Sequence, residues 1–189
     1  MDSFSMGTLA GAGCFNCEEC GFAVALHEMD EVPECPHCGG KEFKRGSIFG
    51  EMAVREPIGQ HEVEHPDWLE EARAALEADG EYVAYEEDGR LRVVALKDGW
   101  TRIGRSLSAD IRFDDPTVSR RHAMVHRGDG ATRILDDRSL NGVFVRGERV
   151  DMQTLYDGDE VTIGRFDLYL MELRGTGRRA SERAPGAAA

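Results

Sequence analysis

No cysteine follows Cys38, although the chain runs to 189 residues. All five cysteines lie between Cys14 and Cys38. A secreted, disulfide-stapled protein would spread an even number along its length, so the clustering argues against that class. It points instead to a metal site in a reducing compartment. Long apolar runs are missing too: no stretch approaches the ~20 residues of a membrane span. Met1 to Gly13 has neither a basic start nor an apolar run of signal-peptide length. The expected location is therefore the cytoplasm, without a membrane partner. Positive charge is also short, with 23 Lys and Arg against 36 Asp and Glu, a net of -13. Residues 51–90 carry 13 acids and 3 bases, whereas residues 91–173 carry 14 acids and 13 bases. An acidic middle repels nucleic acid and argues against it as a partner.

Five segments are expected. Residues 1–12 are small and polar and are expected to be disordered. Residues 13–49 hold the cysteines. Residues 50–80 form an acidic linker with one helix at about 66–79. Residues 81–173 are rich in strand and turn signals, and residues 174–189 read as a disordered tail. In the helix, Pro66 suits the first turn and Asp67, Glu70 and Glu71 complement the dipole. Trp68, Leu69, Ala72, Ala75 and Leu76 share one face, best explained by docking on a neighbouring domain. Gly80 offers a left-handed stop. Beyond Glu81 the period changes to two, with Tyr82 and Ala84, then Leu91, Val93 and Ala95, around an Asp88-Gly89 hairpin signal. Many short strands with frequent turns predict an all-β sandwich.

Cys17-Glu-Glu-Cys20-Gly and Cys35-Pro-His-Cys38-Gly-Gly are two CxxC pairs separated by 14 residues. Each pair can grip one Zn²⁺ from a tight turn whose following glycine permits positive φ. Cys14-Phe-Asn-Cys17 is also a CxxC, but the glycine after Cys20 favours Cys17 and Cys20 as ligands. The segment resembles a zinc ribbon, which implies a structural Zn²⁺ on Cys17, Cys20, Cys35 and Cys38. A catalytic zinc would keep an open position, so four thiolates argue against an enzyme.

Four further elements follow in order: Ile103-Gly104-Arg105-Ser106, Val118-Ser119-Arg120-Arg121-His122, Ser139-Leu140-Asn141-Gly142, and Leu155 to Val161 with Ile163-Gly164. Arg105 can give a phosphate charge-assisted hydrogen bonds, and Ser119 can add a hydroxyl and an N–H. Asn141 carries a donor and an acceptor suited to a peptide main chain. None of these residues forms a nucleophile–base pair.

This order resembles the forkhead-associated (FHA) domain over residues 81–173. The resemblance implies an eleven-stranded β-sandwich that binds phosphothreonine peptides through its apical loops. It implies contacts to the phosphopeptide from Arg105, Ser119, Arg120, Ser139, Asn141 and Gly142, with Gly104 and His122 supporting the site. Many members carry Thr before the Asn; here Leu140 stands there and cannot donate, and Ser139 is one residue too early to replace it directly. The expected function is a non-enzymatic, phosphothreonine-binding adaptor downstream of a Ser/Thr protein kinase. The alternative is a nucleic-acid or transcription-associated module that uses Lys41, Lys44 and Arg45 of the ribbon. Thr8, Thr176 and Ser181 are candidate internal ligands, although no double-Thr motif accompanies them.

Overall fold

The computed structural model describes residues 3–46 and 65–174. The tail expected at 174–189, with Thr176 and Ser181, falls almost wholly outside these residues, as does the linker over 50–64.

The first unit is a four-stranded antiparallel sheet. It comprises β1 (Ser3–Ser5), β2 (Gly13–Cys17), β3 (Ala23–Leu26) and β4 (Glu42–Arg45). The spatial order is β1-β4-β2-β3, which puts β3 on an edge. Phe15, Val24, Val32 and Phe43 form its small core beside the cysteines. The expectation of disorder over 1–12 is corrected here for residues 3–12. β1 pairs with β4, and Leu9 bridges to Glu31. The cause is aromatic: Phe4 packs edge-on against Phe15 at 5.2 Å, and Arg45 lies over both rings. Thr8 therefore sits in an ordered turn, donating to Ser5 O through its hydroxyl and accepting from Val32 N–H.

Next comes α1 (Trp68–Ala74). It is shorter than the 66–79 expected, because Gly80 does not end a helix but opens a strand. Leu69 and Ala72 are buried against Ala84, Tyr169 and Met171, with Trp68 and Leu76 alongside. The stripe thus docks on the outer face of the sandwich, as expected, while Ala75 at its margin stays exposed.

The sandwich is built from β5 (Gly80–Glu87), β6 (Arg90–Ala95), β7 (Gly99–Gly104), β8 (Ile111–Arg112), β9 (Ala123–Gly128) and β10 (Ala131–Asp136). It continues through β11 (Val143–Val145), β12 (Glu148–Val150), β13 (Met152–Leu155), β14 (Glu160–Ile163) and β15 (Phe166–Leu173). One sheet has the order β13-β10-β9-β7-β8 and the other β12-β11-β14-β15-β5-β6. Eleven strands in two sheets is the architecture anticipated. Between them lies one core, with Ile103, Phe113, Val125 and Ile134 facing Val83, Val143, Ile163 and Leu168. Phe113 stacks on Phe166 at 4.3 Å and meets Tyr85 edge-on at 4.9 Å. Asp88 and Gly89 both take positive φ, as the hairpin signal required. On β6, however, Leu91 and Val93 are exposed. β6 is an edge strand, and its neighbour β5 supplies Val83 and Tyr85 to the core instead.

Candidate functional site: an arginine-lined cleft roofed by the ribbon

The loops at one end of the sandwich are tied together through main-chain bonds. Arg105 N–H donates to Ser119 O, Ser106 N–H to Arg120 O, and His122 N–H to Ile103 O, all near 3.0–3.1 Å. This close approach requires a glycine at 104, because a Cβ there would lie 2.5 Å from Arg120 O. His122 is fully buried and bridges two loops. Its Nδ1 accepts from Ser119 N–H at 3.0 Å, which leaves Nε2 to donate to Gly142 O at 3.1 Å. The Nδ1 acceptor bond needs the neutral ring, and burial holds its pKa below the ordinary histidine value.

Ser119 Oγ accepts from Leu140 N–H at 3.0 Å, so its hydroxyl proton is left to donate elsewhere. Ser139 is placed differently from the sequence expectation. It is buried, its hydroxyl donates to Asp136 at 3.0 Å, and its oxygen accepts from Gly142 N–H at 2.8 Å. The side chain closes its own loop and does not reach the cleft. Gly142, at φ +87°, serves the same turn.

A cleft of about 580 Å³ opens beside these loops. Arg105, Ser119, Arg120, Arg121, Arg138 and Leu140 line it from the sandwich, and Cys14, Ala25 and His27 from the ribbon. Arg121 is held by a bidentate pair to Asp137, at 2.7 and 2.8 Å. Arg105 is 9% exposed. Its Nη1 donates to Ala25 O at 2.7 Å, while Nε is buried with no hydrogen-bond partner among the described residues. Burial pulls this guanidinium below its usual pKa, opposed chiefly by the Asp30 carboxylate. Arginine remains a cation through such shifts. An unsatisfied buried cationic N–H is costly.

Asn141 is 6% exposed and grips a main chain. Its Oδ1 accepts from Ala23 N–H at 3.0 Å, and its Nδ2 donates to Ala23 O at 2.8 Å and to Thr117 O at 2.9 Å. Sequence reasoning missed Ala23 and Ala25 as partners of the site. No local signal marks them, since Asn141 and Ala23 lie 118 residues apart.

In the ribbon, the Sγ atoms of Cys17, Cys20, Cys35 and Cys38 lie within 4.8 Å of one another. Two of the separations are 3.5 and 3.6 Å. Sulfurs about 2.3 Å from a tetrahedral zinc stand roughly 3.8 Å apart, so the donor set fits such an ion. Gly21 and Gly39 take φ +73° and donate to Cys17 O and Cys35 O, closing the two knuckles. Cys14 stands outside the cluster, 3.7 Å from Asn16 Oδ1. Arg45 is engaged within the ribbon, donating to Ala10 O and Ala12 O.

A family model for the FHA domain matches residues 101–164, and one for a zinc-ribbon containing domain matches residues 1–47. Residues 101–164 thus match the FHA domain, and residues 1–47 a zinc ribbon. The chain is 47% identical over 72 residues to the oxoglutarate dehydrogenase inhibitor of Corynebacterium diphtheriae, covering 38% of this chain and 50% of that protein. It is 46% identical over 71 residues to the glycogen accumulation regulator GarA of Mycolicibacterium smegmatis, covering 38% and 45%. The ABC transporter ATP-binding/permease protein Rv1747 of Mycobacterium tuberculosis is 46% identical over 87 residues, covering 46% and 10%. The chain thus spans half or less of the length of these relatives. Among solved structures, the FhaA FHA domain complexed with the intracellular domain of Rv3910 is 30% identical at a TM-score of 0.46. That match covers 48% of this chain and 99% of that one.

Proposed function

We propose that the chain is a non-enzymatic adaptor whose FHA domain, residues 81–173, binds phosphothreonine in partner proteins modified by a Ser/Thr protein kinase. The observation that carries this reading is Arg105, a buried cation that lines an arginine-rich cleft and whose Nε has no hydrogen-bond partner among the described residues. Arg105 and the Ser119 hydroxyl bind the phosphate in this reading, Arg120 reads residues after it, and Asn141 holds the peptide main chain. Gly104, His122, Ser139 and Gly142 keep the loops in place.

Cys17, Cys20, Cys35 and Cys38 hold a structural Zn²⁺ in this proposal, and the ion contributes folding free energy to a unit too small for a large core.

Calorimetry on the full chain tests the reading with matched phosphothreonine and unmodified peptide pools. The phosphorylated pool is expected to bind at least tenfold more tightly, and Arg105→Ala to abolish the difference. Equal affinity for the two pools would overturn it.

A further inference from the structure

The ribbon's outer strand lies where the FHA domain would hold a peptide main chain. β3 is the edge of its sheet, and only one of its sides pairs with β2. An edge strand leaves alternate N–H and C=O groups unpaired and ready for another chain. Here those groups belong to Ala23 and Ala25, and loops of the sandwich satisfy all four. Ala23 N–H and C=O meet Asn141 at 3.0 and 2.8 Å. Ala25 N–H donates to Pro116 O at 2.8 Å, and Ala25 C=O accepts from Arg105 Nη1 at 2.7 Å. The methyl side chains of Ala23 and Ala25 keep the approach close, and Ala23 is buried by it.

We infer that the zinc ribbon is a built-in competitor of the phosphopeptide: β3 occupies the main-chain half of the reader, and a phosphothreonine ligand must displace it. This rests on the proposed phosphopeptide reading of the same loops. The two side chains that hold β3, Asn141 and Arg105, are the two that the reading assigns to peptide backbone and phosphate. One amide cannot pair with two main chains at once, so ribbon docking and full peptide engagement exclude each other.

The competition is graded, not absolute. Ala23-Val24-Ala25-Leu26 has no hydroxyl to phosphorylate. It matches a ligand's main-chain bonds but supplies no phosphate to Arg105 Nε or to the cleft lined by Arg120 and Arg138. A phosphorylated peptide therefore has one large interaction that the ribbon lacks. The ribbon's advantage is its tether, which supplies an effective concentration on the order of millimolar. The docked state sets a threshold: peptides that offer only backbone are excluded, and phosphorylated ones bind at reduced apparent affinity.

The test uses the full chain with Ala23→Pro and Ala25→Pro combined. Proline removes the two N–H groups that point at the sandwich, while the bonds to β2 leave from the other side of the strand. The probe is a peptide pool with one fixed phosphothreonine and degenerate flanks, alongside its unphosphorylated twin. The double variant is expected to bind the phosphorylated pool at least tenfold more tightly than the wild type. Equal or weaker binding by the variant, with phosphate dependence intact in both chains, overturns the competitor while leaving the reader standing. Failure of both chains to prefer the phosphorylated pool overturns the reader, and the competitor with it. Amide exchange on the unmodified chain guards against a variant whose ribbon does not fold. Ala23 and Ala25 are expected to be protected in the free protein and to lose protection on saturation with the phosphorylated pool; protection that persists in the saturated complex overturns the inference.

Discussion

His122 shows how one side chain can fix a site without touching its ligand. Its two ring nitrogens join Ser119 N–H to Gly142 O, and the bond accepted at Nδ1 requires the uncharged ring. Burial lowers its pKa, partly opposed by the Gly142 carbonyl and by Asp136. The sign follows directly. The unfolded chain takes up this proton near pH 6.5, whereas the folded chain does so only at lower pH. The contribution to stability is whole above pH 6.5 and declines as pH falls below it, by at most about 1.4 kcal/mol per pH unit. Urea unfolding at pH 7.5 and 5.5 should show the loss, and NMR of the His122 ring should show no protonation step near pH 6.5. A ring titrating at its ordinary value would refute this. Arg105, Ser119 and Asn141 were legible as residue types suited to phosphate and main chain, and His122 as loop support. Ser139 was not, because its role depends on which way its rotamer points. Asp136 and Gly142 N–H capture the hydroxyl inside the turn.

The elements differ in how far local pattern determined them. Strand alternation and the Asp88-Gly89 turn predicted β5 and β6, since hairpins depend on neighbouring residues. The helix was visible through its apolar stripe, but its end was misplaced: Gly80 reads as a stop, yet pairing of Gly80 with Leu173 draws it into β5. β1 was invisible because three residues, Ser3–Ser5, carry no period; its order comes from Phe4 against Phe15 and from pairing with β4. The docking of α1 carries its own prediction. Leu69 is 1% exposed and sits between Ala84, Tyr169 and Met171. Leu69→Ala should destabilise the chain by about 2–5 kcal/mol, the range for a buried leucine truncation. A lower urea midpoint with unchanged phosphopeptide affinity at low temperature is the expected result. An unchanged midpoint would mean that the helix contributes nothing to the sandwich.

At the scale of the whole molecule, two small modules face each other across contacts that neither sequence segment advertises. Ala-Val-Ala-Leu reads as an ordinary ribbon strand, and Asn141 as a reader of external peptide. Their meeting depends on two prefolded surfaces, so no local period records it. The consequence couples metal to ligand. If four thiolates hold the ribbon together, removing the ion unfolds it, because a unit of this size has little other stability. An unfolded ribbon no longer presents Ala23 and Ala25 as a rigid edge, and Asn141 and Arg105 lose their internal partners. Chelation of the purified chain at neutral pH should therefore release one zinc per chain and raise phosphothreonine-peptide affinity by about the factor seen for the double proline variant. Restored zinc should return the original affinity. If zinc leaves and affinity stays constant, the ribbon is a bystander to the reader. If affinity falls instead, the ribbon contributes a wall to the phosphate cleft, through Ala25 and His27, that outweighs its competition at Asn141.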